Sequence, residues 1–287
     1  SSSTAMNAVA SSSTAMNAVA SSSTAMNAVA SSSTAMNAVA SSSTAMNAVA
    51  SSSTAMNAVA SSSTAMNAVA SSSTAMNAVA SSSTAMNAVA SSQIGVNTII
   101  NNQGFLNIVI SGSTAMSAIA GSSTAMSAIA GSSTAMSAIA GSSTAMSAIA
   151  GKPVAISAII KSTMACSKID SKIQSYRSTL INSLNNASYF TKTTEISSNS
   201  NGNGTALDRT LYTGNKIIIP TQFRDKSSGA NTITLYSSST NIQIYNATIT
   251  QTTVSITSGV ALRGVRELHG TYYPSENEIT YDVYTAK

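Results

Sequence analysis

The side chains able to do chemistry are few, and they crowd into the second half of the chain. There is one histidine, His269, in the stretch ALRGVRELHGTYYP, beside Glu267 and close to Arg263 and Arg266. There is one cysteine, Cys166. A structural zinc site takes about four ligands, and no such cluster can be drawn within one chain, so no metal or other cofactor is expected. One cysteine also excludes an intrachain disulfide framework. Cys166 reads as a small core residue and His269 as a surface or intersubunit residue. A nucleophile-and-base site needs a third group to orient the base, and nothing in the spacing supplies one. Asp208, Asp225, Glu267, Glu276, Glu278 and Asp282 are the carboxylates from which a glycosidase pair would have to come, but no feature selects two of them. The glycine-rich SNGNGT lacks the lysine and hydroxyl residue of a phosphate loop. The chain is therefore expected not to be an enzyme. Exposed Tyr and Arg can stack on and hydrogen-bond to a glycan, which makes Tyr272, Tyr273, Arg263 and Arg266 the candidate receptor-binding residues.

The elements that must carry these residues begin with a repeat. The ten-residue word SSSTAMNAVA runs unchanged from Ser1 to Ala90. SSQIGVNTII and NNQGFLNIVI then keep its register, and STAMSAIA words continue to Ala150. No Asp, Glu, Lys, Arg or His occurs from Ser1 to Gly151, whereas the remainder carries thirteen basic and eight acidic residues. Those charges are mixed in sign and form no basic run, so nucleic acid is not an expected partner. No uninterrupted apolar run is long enough to span a membrane.

Within a word, Met6 and Val9 are three apart and share a face only on a helix. Ala and Met favour helix, and Ser or Thr ahead of them is a natural cap. The word predicts a helix of about two turns with a break at SSS or GSS, because ten residues at 100° each fall about 80° short of three turns. Laid along a fibre axis, such a word advances about 15 Å. The β-branched block 93–111 predicts strand instead, and an interwoven β-prism is the alternative for the whole stalk. A slender array has no inside of its own, so burial of Met6, Val9, Met116 and Ile119 is expected to require parallel self-association. Beyond the array, Ile169, Ile173, Tyr176, Leu180 and Leu184 are spaced 4, 3, 4 and 4 apart, near a heptad seam. Residues 165–187 are therefore expected to form a coiled coil that sets the register of three chains. A polar linker at 188–206 follows, then a β head at 207–287, whose short alternating segments predict a sandwich or jelly roll. The fold class expected is fibrous α + β, with residues 1–164 as the stalk.

A neutral repetitive stalk, a short coiled coil and a small β head resemble the trimeric fibres of tailed bacteriophages. The word S-T-A-M-x-A-V/I-A over residues 1–150 is similar to Ser/Thr-Ala-Met repeats of such fibre proteins. The resemblance implies an extracellular virion protein and a parallel homotrimer. It also implies attachment to a virion protein at the N-terminal end and a non-catalytic C-terminal head that contacts a host-surface glycan or protein. A cellular surface filament or adhesin with a repetitive stalk is the alternative.

Overall fold

The computed structural model describes residues 2–199, 207–226, 229, 231–238, 240–269 and 277–287. The chain divides into two compact units, Ser1–Ile149 and Ala150–Lys287: a helical repeat region and a unit built around an antiparallel β domain.

In the first unit each word is one helix, as in Ser13–Ser21, Ser23–Ala30 and Ser33–Ser41. The helix forms for the expected local reasons. The second Ser of the word is extended (Ser12, φ −103°, ψ 114°) and its side chain accepts from the backbone N–H three residues on, that of Ala15. The same kind of residue closes the preceding helix, so Ser22 is at once the C-cap of one helix and the N-cap of the next. A single extended residue therefore turns the chain sharply. The helices Gln103–Ser111 and Ser113–Gly121 lie at 99° to each other.

These turns wind the helices into a coil of three words. Ser2–Ala10 packs on Ser33–Ser41, Ser13–Ser21 on Ser43–Ser51, and Ser23–Ala30 on Ser53–Ala60. Positions five, six, nine and ten of each word face inward, so that Ala55, Met56, Val59 and Ala60 are all at most 1% exposed. Positions one, three and seven face solvent. The chain thus makes its own inside. Burial of the methionines does not require a partner chain, and the expectation that it would is corrected. The first layer is partly open, with Met6 and Val9 half-buried, whereas Met116 and Ile119 are fully buried.

The capping serine has a second task. Its hydroxyl donates to the last carbonyl of the word in the layer before, from Ser42 to Ala10 at 2.6 Å, Ser62 to Ala30 at 2.6 Å and Ser82 to Ala50 at 2.5 Å. Asn102 replaces Ser and keeps both roles, accepting from the Phe105 N–H at 2.8 Å and donating to the Ala70 carbonyl at 2.9 Å. Gly112 has no side chain to do either. A cap is worth about 1 kcal/mol and a net hydrogen bond about 1 kcal/mol. Ser62→Ala is therefore expected to cost about 2 kcal/mol. Gly112→Ser should return a similar amount, because a Cβ there meets nothing closer than 3.6 Å. Chemical-denaturation midpoints of the two variants check both signs.

The β-rich block 93–111 is helical, as Gln93–Asn101 and Gln103–Ser111, against the strand expectation. Five of its apolar residues occupy inward positions of the word: Val96, Ile99, Phe105, Leu106 and Val109 are at most 1% exposed, whereas Ile94 is exposed. Packing in register overrides the propensity of single residues.

The second unit opens with helices Pro153–Ile160 and Thr163–Ile173, a 3₁₀ turn Gln174–Tyr176 and the helix Arg177–Leu184. The expected continuous coiled coil is thus interrupted, and its seam is covered by its own chain. Ile169, Ile173, Leu180 and Leu184 are at most 1% exposed, and Tyr176 is half-buried. Polar bonds tie this segment to the β domain. Gln174 donates to the Val260 carbonyl at 2.7 Å and accepts from its N–H at 2.8 Å. Arg177 donates to the carbonyls of Gly259, Pro220 and Ile256.

The strands are β1 Phe190–Asn199, β2 Leu207–Leu211, β3 Lys216–Asp225, β4 Asn231–Ser237, β5 Ile242–Ile249, β6 Thr253–Ser255, β7 Ala261–Leu262, β8 Val265–His269 and β9 Asn277–Ala286. Strand β1 occupies ten residues of the expected linker and pairs along its whole length with β9. The strands form two antiparallel sheets, ordered β1-β9-β3-β6, with β7 also pairing β3, and β2-β8-β4-β5. Ile218, Phe223, Ile279 and Val283 of the first sheet share one core with Ile233, Leu235, Ile244 and Val265 of the second.

Candidate functional site

Alternation along β8 decides what faces where. Val265, Glu267 and His269 point into the core, and Arg266 and Leu268 point out. Glu267 is fully buried and ties the two sheets together. Its Oε2 accepts from Arg209 Nε at 2.8 Å and Ser197 Oγ at 2.9 Å, and its Oε1 accepts from Tyr281 OH at 2.5 Å. His269 Nε2 lies 3.3 Å from Oε2. His269 is 2% exposed, so of the surface or intersubunit position expected for it, the surface one is corrected. Tyr212 packs edge-on against Tyr281, with ring centroids 5.7 Å apart. Burial, and then Glu195, push the Tyr212 phenol up to about 12.

This cluster locks the two sheets together through one buried carboxylate. Burial opposes ionisation of Glu267, but the bonds from His269, Tyr281 and Arg209 outweigh it and hold the carboxyl below its usual range. A folded value below the unfolded one means that the carboxylate stabilises the fold above the unfolded pKa. That contribution is lost as pH falls through the folded value. Glu267→Gln is expected to lower stability by several kcal/mol at pH 7. The gap from the native chain should narrow in acid below the ordinary glutamate range, as urea midpoints measured against pH would show.

The outer face of the β2-β8-β4-β5 sheet is polar. Across it run the rows Thr210, Arg266, Tyr236, Gln243 and Asp208, Leu268, Thr234, Asn246. Arg266 is held by Asp208 through Nε–Oδ1 at 2.8 Å and Nη2–Oδ2 at 2.5 Å, and it donates to Asn241 Oδ1 at 2.9 Å. Its guanidinium lies 5.5 Å from the Tyr236 ring centroid. The hydrogen bond from Arg266 keeps the Asp208 carboxyl below its usual range. The result is a pre-set group of a cation, a carboxylate, a carboxamide and a ring on an open face. Asn246 donates to Thr234 Oγ1 at 3.1 Å beside it.

Of the four candidate receptor-binding residues, the structure places Arg266 in this group. Arg263 lies outside it, with φ of 61°, and donates to the Ile160 carbonyl at 2.7 Å and Asn215 Oδ1 at 3.0 Å. Tyr272, Tyr273 and the carboxylate candidate Glu276 lie outside the described residues. Tyr236 and Asn241 carry no signal in the sequence, and Asp208 stands there only as one of six undistinguished carboxylates. The register of β2 and β4 on β8 brings them to Arg266, and that register is not visible in one sequence. Cys166 is fully buried, and burial pushes its thiol up to about 12. Among the described residues no group of three His, Cys, Asp or Glu side chains is placed to hold a metal, and no single helix is long and apolar enough to cross a membrane. No protein-family model and no curated protein matches the chain.

Proposed function

We propose that the chain is a structural, non-catalytic fibre protein of a bacteriophage virion, whose β domain attaches to a host-surface glycan or protein. The observation that carries the reading is the outer face built around Arg266, Asp208, Tyr236 and Asn241, on a domain joined to a charge-free repeat. Hydroxyl-rich ligands are recognised by such groups, which donate and accept in fixed directions beside an aromatic ring. The strand order supports a jelly-roll reading. Without the two-residue β7, the sheets run first-eighth-third-sixth and second-seventh-fourth-fifth, as two interleaved Greek keys do. That architecture recurs in viral capsid and lectin domains. The reading includes the homotrimer and the N-terminal virion contact that the fibre resemblance implies; methionine burial no longer argues for three chains.

Binding of the full chain to host cells or to their purified surface polysaccharide tests this. Arg266→Ala is expected to weaken binding roughly ten-fold, as loss of a central Arg contact does, and the native chain is expected to release no sugar from the polysaccharide. Hydrolysis by the native chain overturns the non-catalytic reading. Unchanged binding by the variant moves the contact off this face.

A further inference from the structure

A surface group centred on a guanidinium ordinarily draws acids, and a chain with thirteen basic and eight acidic residues would be expected to seek an acidic surface. The bonding of Arg266 points the other way. One fork of its guanidinium, Nε and Nη2, is filled by both oxygens of Asp208, at 2.8 and 2.5 Å. That is the bidentate arrangement in which arginine takes up a carboxylate or a phosphate. A third N–H, on Nη1, goes to Asn241 Oδ1. The ion pair is neutral as it stands, and Arg266 keeps Asp208 ionised. An acid reaching the guanidinium would have to evict Asp208 or lie next to its carboxylate, and like charges side by side oppose binding.

What the pair has left matches hydroxyl groups. A guanidinium has five N–H donors and a carboxylate about four acceptor positions. Three of those donors and two of those acceptor positions are used within the group. The remainder sets donors beside acceptors. Two hydroxyls on adjacent carbons fit such a pair, one accepting from Arg266 and the other donating to Asp208, because a hydroxyl can do either. Tyr236 stands directly across from Arg266, and Leu268 directly across from Asp208. Both are half-buried and border the pair with apolar surface on which the C–H face of a sugar ring can rest. Resting on the reading above that this face meets the host, we propose that its ligand is a neutral glycan with adjacent hydroxyls, and neither an acidic polysaccharide nor an acidic protein.

The test is binding of the full chain to host cells and to a panel of neutral polysaccharides (a glucan, a mannan, a galactan) and acidic ones (a polyuronate, a polysialate), each at low and high salt. The native chain is expected to hold neutral members with an affinity that changes less than about two-fold between about 0.05 and 0.5 M NaCl, because the pair has no net charge to screen. Periodate, which cleaves the bond between adjacent hydroxyl-bearing carbons, should abolish that binding. Asp208→Asn leaves the Arg266 charge uncompensated and should reverse the preference. Neutral binding should fall roughly ten-fold, and acidic binding should rise and become salt-sensitive. The salt and periodate results come from the native chain and carry the test should the variant fold poorly. A native chain that prefers acidic members and loses them in salt overturns the proposal. So does neutral binding that survives periodate or that a folded Asp208→Asn variant leaves unchanged. Capture of no glycan with host cells still bound overturns it too, and leaves a protein receptor for the reading above. Failure to bind host cells as well brings down both.

Discussion

A fragment starting at Ala150 is expected to fold cooperatively, whereas one starting at Leu207 should be unfolded or aggregated. The division of the chain falls after Ile149, well before the first residue of the expected head. Three features make the intervening segment part of the domain. Strand β1 covers the edge of β9 over ten paired residues; without it, β9 becomes an open edge next to the core. Ser197 of β1 satisfies Glu267, and removing a partner from a buried carboxylate is strongly destabilising. Finally, Ile217, Ile219 and Tyr284 are at most 1% exposed although they lie on the face of the first sheet opposite the core residues Ile218 and Val283. Tyr284 OH donates to Asn185 at 3.3 Å and Arg177 caps the Pro220 carbonyl, so the helices of the unit cover that face. A fragment lacking residues 150–206 loses all three together. Its near-ultraviolet circular dichroism and amide chemical-shift dispersion should be those of an unfolded chain, against a sharp melt for 150–287. A well-dispersed spectrum from 207–287 would show that β1 and the helices are dispensable.

What was legible in the sequence follows from which forces are local. Helix and cap are decided within one word, by the Met6–Val9 spacing and the second serine, and both are present. The coil is decided by contacts thirty residues apart. Identical words hide that distance, because every word offers the same face to every other. Read from one word alone, the apolar face therefore points to other chains. The local hints were Asn102, which keeps the two bonds of the serine it replaces, and Val96, Ile99, Phe105, Leu106 and Val109, which keep inward positions. The spacing of Ile169, Ile173, Leu180 and Leu184 reads as a heptad seam, but any amphipathic helix laid on a β-sheet has similar spacing. In VRELH, period-two alternation puts Glu267 and His269 on the same side as Val265. The apolar Leu268 argues for the opposite face, and only the partners Arg209, Ser197 and Tyr281 decide between them. Arg209 and Tyr281 lie 58 and 14 residues from Glu267.

Inserting three further words after Ala60 is expected to lengthen the repeat unit by one layer, about 8–10 Å, the separation of packed helices. Each word therefore contributes about 3 Å along the coil axis instead of the roughly 15 Å of a helix laid parallel to it. The prediction rests on the contacts three words apart and on the serine-to-carbonyl bonds that span thirty-two residues. A layer made of three identical words presents the same methionines inward and the same serine hydroxyls to its neighbour, so the insertion creates no mismatch. In a repeat array each added interface contributes its own stabilisation, so the helical signal and its melting midpoint should both rise. Because each layer buries its methionines within one chain, that midpoint should not depend on protein concentration. Cryo-electron microscopy of the extended chain measures the advance directly. An increase near 45 Å for the thirty residues would mean that the helices run along the axis and that the three-word coil is wrong.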